Sequence, residues 1–225
     1  MSNRKPLLRP RRGRSGTVTP TVRAAVRAHG PGYVFTPDDL LDLGTRAAVD
    51  QALSRLARAG EIRRLARGIY DVPQMHPRLG PLTPGPEAVA EALARRDAAR
   101  LQVSGARAAN ALGLTSQVPG RVVYLTDGSP RTRRVAGQTV ELRRATPRAL
   151  AGAGTTAGAV IQALRHLGPE RVDDAVVAHL VRTLSTDDRR AVGTLRRAAP
   201  GWLRPALARI AGEREGAAAG DAGRG

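Results

Sequence analysis

The feature that most constrains this chain is a change of hydrophobic rhythm at Gly60. Before it, apolar residues recur at helical spacing in three short segments. After it, Ile62–Leu65 and Ile69–Val72 form two β-like runs around Ala66-Arg67-Gly68, the pattern of a tight hairpin with glycine in its turn. The first helix is expected from a cap at Thr19 and Pro20, with Val22, Ala25 and Val26 inward until His29-Gly30-Pro31-Gly32. Val34-Phe35 reads as a very short strand. Thr36-Pro37-Asp38-Asp39 then opens a short helix through Leu40, Leu41 and Leu43. Thr45 caps a third helix, from Arg46 to about Ala59, with Val49, Leu53 and Leu56 on its buried side. Three short helices followed by a basic hairpin is the order of a winged helix-turn-helix.

On that reading the third helix presents Thr45, Arg46, Asp50, Gln51 and Ser54 away from its core stripe. The N-terminal part of a recognition helix enters the major groove, where arginine can chelate guanine and Gln51 can pair with adenine. Thr45 or Ser54 would reach phosphate or a base edge. The alternative is an ordinary amphipathic helix with a charged outer face. Arg63, Arg64 and Arg67 crowd the hairpin, with only Glu61 opposing them. A wing of this kind lies along the phosphate backbone or a narrow minor groove.

Charge points the same way. There are 37 Lys and Arg against 19 Asp and Glu, a formal net charge of +18. Lys5 is the only lysine, so a GC-rich coding bias explains the choice of arginine, but not the excess of basic over acidic residues. Such a balance attracts polyanions, of which nucleic acid is the commonest. Only five residues are aromatic, too few for a single-strand binder that stacks bases. Duplex DNA is therefore the expected partner.

Composition also narrows the other classes. Hydrophobic residues make up 41%, enough for a real core. Cysteine is absent, which excludes disulfides, cysteine zinc sites, iron–sulfur ligation and a thiol nucleophile. No apolar run is long enough to span a bilayer, and the basic start from Met1 to Arg14 lacks the apolar segment of a secretory signal. A cytoplasmic protein without a membrane partner is expected.

The remaining boundaries follow from punctuation. Residues 1–18 read as a disordered basic arm and 19–73 as the DNA-binding domain. Residues 74–86, rich in proline, read as a semi-rigid linker. Residues 87–211 form a second α/β domain ending in a helical bundle, and 212–225 a disordered tail. In the second domain Glu87–Arg96 and the segment after Ser104 are helical. Strands are expected at Arg121–Leu125, Thr132–Ala136 and Thr139–Arg144, the first pair turning at Thr126–Pro130 and the second at Gly137-Gln138. Four apolar stripes follow, the last made of Trp202, Leu203, Leu207 and Ile210. The whole is a mainly helical α+β chain.

A second basic cluster comprises Arg131, Arg133, Arg134, Arg143, Arg144 and Arg148. Strand alternation separates Arg131 and Arg133 from Arg134, so the six cannot form one patch. The choice lies between a polyanion or acidic-protein contact and a charged sheet edge that resists aggregation. Enzyme signals are weak. Gly152–Gly158 has the look of a phosphate loop but lacks a Walker lysine and a preceding strand. His29, His76, His166 and His179 have no metal-ligand spacing, and nothing orients His166, Asp173, Asp174 and His179 together. Neither a metal nor a cofactor is expected, and the chain is not read as an enzyme.

The segments Val34-Phe35-Thr36-Pro37 and Gly60–Tyr70, closing in Arg67-Gly68-Ile69-Tyr70, resemble the N-terminal winged helix of AbiEi-type antitoxins. Val123–Gly128, Arg131-Thr132, Glu141-Leu142-Arg143 and Gly158–Leu164 look like the body of that family. The resemblance spans about Thr19 to Leu207. It implies a type IV toxin–antitoxin regulator whose winged helix binds double-stranded operator DNA and represses its own operon. It also implies a C-terminal domain that counteracts a nucleotidyltransferase-like toxin without a stable complex. A stand-alone regulator, a charge-driven nucleic-acid accessory protein, and a nucleotide-binding catalyst using Gly152–Gly158 remain the rival readings.

Overall fold

The computed structural model describes residues 18–213 apart from Val118, Gly120 and Ala136. Within them the chain is α+β, with eight α-helices and three small sheets. The described residues divide into two compact units, one drawn from residues 1–98 with 133–137, the other from 99–132 with 138–225. The basic arm and the tail lie outside the described residues, apart from Val18, Gly212 and Glu213.

In the first unit, α1 (Val18–His29) starts one residue before the expected Thr19 cap, and Val18 is itself buried. Strand β1 (Val34–Phe35) leads to a single 3-10 turn, Pro37–Leu40, where the sequence suggested a helix through Leu43. The turn starts with a capping box, in which the Thr36 amide donates to Asp39 Oδ2 at 2.7 Å. Leu41 is left 42% exposed. Helix α2 (Arg46–Arg58) begins at the Thr45 cap as expected, its Oγ1 accepting from the Ala48 amide. Strands β2 (Arg63–Ala66) and β3 (Ile69–Asp71) make the hairpin. Its two-residue turn places Gly68 at φ +71°, a conformation that L side chains avoid. Both β1 and β2 pair antiparallel with β3, giving the order β1-β3-β2. Val22, Val26, Phe35, Val49, Leu53, Leu56 and Ile62 fill the space between helices and sheet.

The stretch expected as a linker is more ordered than its prolines implied. Strands β4 (Met75–His76) and β5 (Gly80–Pro81) pair antiparallel within it, and the Leu82 carbonyl accepts from Arg63. Helix α3 (Pro86–Arg95) belongs to the first unit, not to the second as the sequence reading had it. Arg95 Nη2 donates to the Val34 carbonyl at 2.6 Å, and its Nε reaches Asp39 Oδ1. Those two bonds tie α3 to the β1 side of the unit.

After α3 come β6 (Leu101–Val103), α4 (Gly105–Ala111), β7 (Val122–Thr126), β8 (Arg131–Val135) and β9 (Gln138–Arg144), all grouped with the second unit except residues 133–135 of β8. The sheet order is β6-β7-β9-β8, and β7 runs parallel to β9. The expected hairpin between β7 and β8 is therefore replaced. The physical reason lies in the faces: Val122, Tyr124, Val140 and Leu142 are all buried, so β7 and β9 join their apolar sides. Arginine-rich β8 is pushed to the edge, where charge is tolerated. The strand β6 escaped notice because its central residue is the buried Gln102.

Helices α5 (Thr156–Leu167), α6 (Asp174–Thr183), α7 (Thr186–Thr194) and α8 (Arg204–Ala211) complete the unit. They share a core of Val160, Leu164, Leu180, Val192, Leu203, Leu207 and Ile210. Trp202, expected inward with that last stripe, sits in a 3-10 turn and is 40% exposed.

Candidate nucleic-acid interface

The rotation of α2 is set by Val49, Ala52, Leu53 and Leu56, all 1% exposed or less. Opposite that stripe, Ala47, Asp50, Gln51, Arg55 and Arg58 are exposed and Ser54 half-buried. Arg46 is exposed too, but it is engaged. Its Nη1 lies 2.9 Å from Asp38 Oδ1 and its Nε 3.1 Å from Asp50 Oδ2. Asp38 also receives Arg96 Nε at 3.0 Å. A guanidinium between two carboxylates has much of its field cancelled, so the N-terminal end of α2 offers less positive charge than its sequence suggests.

The hairpin arginines divide sharply. Arg63 turns inward: its Nε donates to Asp71 Oδ1 at 3.0 Å, and Nη2 bonds both Asp71 Oδ2 and the Leu82 carbonyl. Asp71 is 1% exposed, and its hydrogen bond raises the Arg63 pKa above the ordinary arginine value. Arg63 is thus a structural clamp and leaves the set of expected phosphate contacts. Arg64 and Arg67 are exposed, with no carboxylate partner among the described residues. Glu61, which the sequence sets against them, is held by Arg23 Nε at 2.8 Å and Arg27 Nη2 at 3.0 Å. Arg55 and Arg58 also have no carboxylate partner among the described residues. Sequence reasoning passed over both, although each falls three or four residues from Gln51 or Ser54. Among the described residues, the unneutralised charge of this unit thus includes the C-terminal half of α2 and the hairpin.

Electrostatics around β1 add one perturbed group. His29 stacks on Tyr33 with ring centroids 3.9 Å apart, and Arg95 lies over the Tyr33 ring. Burial lowers the His29 pKa, the Arg95 charge lowers it further, and Asp39 opposes both.

The six arginines of the second basic cluster do not converge, and Arg133 and Arg134 are grouped with the first unit, the other four with the second. Arg131 and Arg133 are half-buried on one side of β8, and Arg134 is exposed on the other. Arg143 Nη2 pairs with Glu141 Oε1 at 2.9 Å, which together with Arg121 keeps that carboxyl below its usual range. Arg144 is exposed. Arg148 Nε and Nη2 donate to the Ala198 and Ala199 carbonyls at 3.0 and 3.1 Å.

The glycine loop has a packing role. Thr155 Oγ1 donates to the Gly152 carbonyl at 2.7 Å and accepts from the Gly158 amide at 3.1 Å. A Cβ on Gly158 would fall 2.1 Å from the Gly152 oxygen. Of the dispersed histidine and aspartate residues, Asp173 caps α6, Asp174 pairs with Arg209, and His179 Nε2 meets the Leu112 carbonyl, while His166 is exposed. No group of three potential metal ligands occurs among the described residues, and none of their helices is long and apolar enough to cross a membrane.

The class defined by this geometry is an α+β chain of two units, the first carrying an unneutralised arginine surface on a helix and a hairpin. The chain belongs to a family of unknown function, DUF6088, whose model matches residues 21–192. It is also similar to a solved structure, the RV2827C protein from Mycobacterium tuberculosis, at 19% identity and a TM-score of 0.39. That match covers 89% of this chain and 83% of the other. No curated protein matches the chain.

Proposed function

We propose that this chain is a sequence-specific regulator that binds duplex DNA through a winged helix-turn-helix at residues 19–73 and represses its own operon. The observation that carries the reading is the set Arg55, Arg58, Arg64 and Arg67. These four exposed guanidiniums, without carboxylate partners among the described residues, occur on a helix and on the hairpin that follows it. In this reading Gln51 and Ser54 on α2 read base edges, while the hairpin meets phosphate. Arg46 contributes only by exchanging Asp38 and Asp50 for DNA. The second unit acts in a toxin–antitoxin pair against a nucleotidyltransferase-like toxin, through a functional rather than a stable link. That part rests on the AbiEi-type resemblance, with the exposed Arg144 as the residue to examine.

The test is selection of a duplex from a randomised pool, followed by titration against random duplex at several salt concentrations. About four neutralised phosphates imply a log–log salt slope of roughly −3.5. Arg67→Ala is expected to weaken selected and random duplexes alike. Gln51→Ala is expected to cost about 1–3 kcal/mol on the selected duplex only. Equal affinity for every duplex would reduce the protein to a charge-driven accessory. Co-expression with the neighbouring gene product, scored by growth, tests the antitoxin role.

A further inference from the structure

A cleft of about 390 Å3 opens in the second unit, lined by Thr146, Arg148, Ala149, Arg165, Ala198, Pro200 and Gly201. No carboxylate lines it. Two of its seven lining residues are arginines, and the residues around them explain why their charge persists. Arg148 is held by two neutral carbonyls through Nε and Nη2, which fixes the plane of the guanidinium without cancelling its charge. Its Nη1 makes no bond among the described residues. Arg165, on the last turn of α5, is exposed and likewise has no carboxylate partner among them. Thr146 adds a hydroxyl, bonded only weakly to the Ala149 amide at 3.3 Å.

Each element has a separate reason for its position. The buried face of α5, through Leu164 and Leu167, sends Arg165 outward. The 3-10 turn Arg196–Ala198 ends at the carbonyls that Arg148 takes, so the arginine closes the turn and remains in the wall of the cleft. A fixed guanidinium loses little conformational freedom on binding, and its planar fork matches two oxygens of a tetrahedral anion. A concave site of this volume fits a small ligand better than a rod of duplex, whose phosphates touch convex or flat surfaces more readily.

From these features we infer that the cleft is a binding site for a small phosphate-bearing ligand, held by Arg148 and Arg165 with Thr146 as a further donor. The inference stands on the second unit alone and is independent of DNA binding by the first.

Trp202, the only tryptophan, follows the lining residue Gly201 and is 40% exposed, so its fluorescence reports on the cleft. The full chain is titrated with inorganic phosphate and with pyrophosphate at constant ionic strength, sodium chloride serving as control. A saturable change with both anions and none with chloride is expected. Arg165→Gln is expected to weaken pyrophosphate at least tenfold while leaving the melting curve unchanged, because the side chain makes no structural bond. Arg148→Lys keeps the charge but loses the fork, and should weaken binding as well. An unsaturable response, or unchanged affinity in Arg165→Gln, overturns the proposal. Displacement of pyrophosphate by a 12-base-pair duplex from wild type but not from Arg165→Gln also overturns it, reassigning the cleft to backbone contact.

Discussion

At the scale of single residues, Asp71 shows how one buried charge fixes the use of its neighbours. With 1% exposure it cannot be left unpaired, so Arg63 is drawn from the basic hairpin into the unit. Removing the guanidinium while keeping the carboxylate strands a buried charge. Arg63→Ala is expected to cost about 3 kcal/mol in urea unfolding, and adding Asp71→Asn should restore part of it. Duplex affinity should hardly change beyond the effect of stability, which separates Arg63 from Arg67. His29 gives a pH signature. Its folded pKa lies below its unfolded value of about 6.5, so as pH falls the unfolded state takes up a proton first. Stability is therefore expected to decline as pH drops below about 6.5, until the folded form protonates too. His29→Gln should remove that part of the decline, as followed by urea unfolding from pH 7.5 to 5.

At the scale of elements, close backbone approach decides where the second unit is most vulnerable. Gly158 opens the packed side of α5 against the Gly152 carbonyl, and Gln102 Oε1 lies 2.6 Å from where its Cβ would be. Gly158→Ala has no flexible neighbour that can retreat from both contacts. It should destabilise by about 3 kcal/mol. Gly154, two residues past Gly152, also has a positive φ but meets nothing within 4 Å, so Gly154→Ala should cost only about 1 kcal/mol. Thermal unfolding of the two variants distinguishes packing from backbone conformation, and a phosphate-loop role would not predict that ranking. The same logic of faces sorts the strands. β9 takes the middle of the sheet because Val140 and Leu142 complement β7, while the arginines of β8 make it an edge.

At the scale of the whole molecule, the extent of the first unit matters most. Helix α3 is part of it, held by Arg95 to the Val34 carbonyl and Asp39, and by Arg96 to Asp38. A fragment of residues 18–98 is therefore expected to unfold at higher urea than one of residues 18–73, measured by circular dichroism. A 56-residue fragment has little core to spare, and losing α3 removes the burial of Val89 and Leu93 as well. If the two fragments melt alike, α3 contributes nothing to the unit.

The sequence by itself determined the local elements whose signals are short-range. The Thr45 cap, the Val49–Leu53–Leu56 stripe and the Gly68 turn were legible because capping, helical period and positive φ are properties of a few adjacent residues. The exposure of Gln51 and Arg67 followed from the same local geometry. What only the tertiary structure decided were pairings between distant segments. Arg46 meets Asp38, Arg63 meets Asp71 and Leu82, and Glu61 is claimed by α1, whereas the Arg46–Asp50 pair is a local i, i+4 contact. The parallel pairing of β7 with β9 and the meeting of Arg148 with the 198–199 carbonyls belong to the same class. Arginine reads identically in the sequence whether it will face solvent or a carboxylate, because its charge acts through space and the fold alone sets those distances.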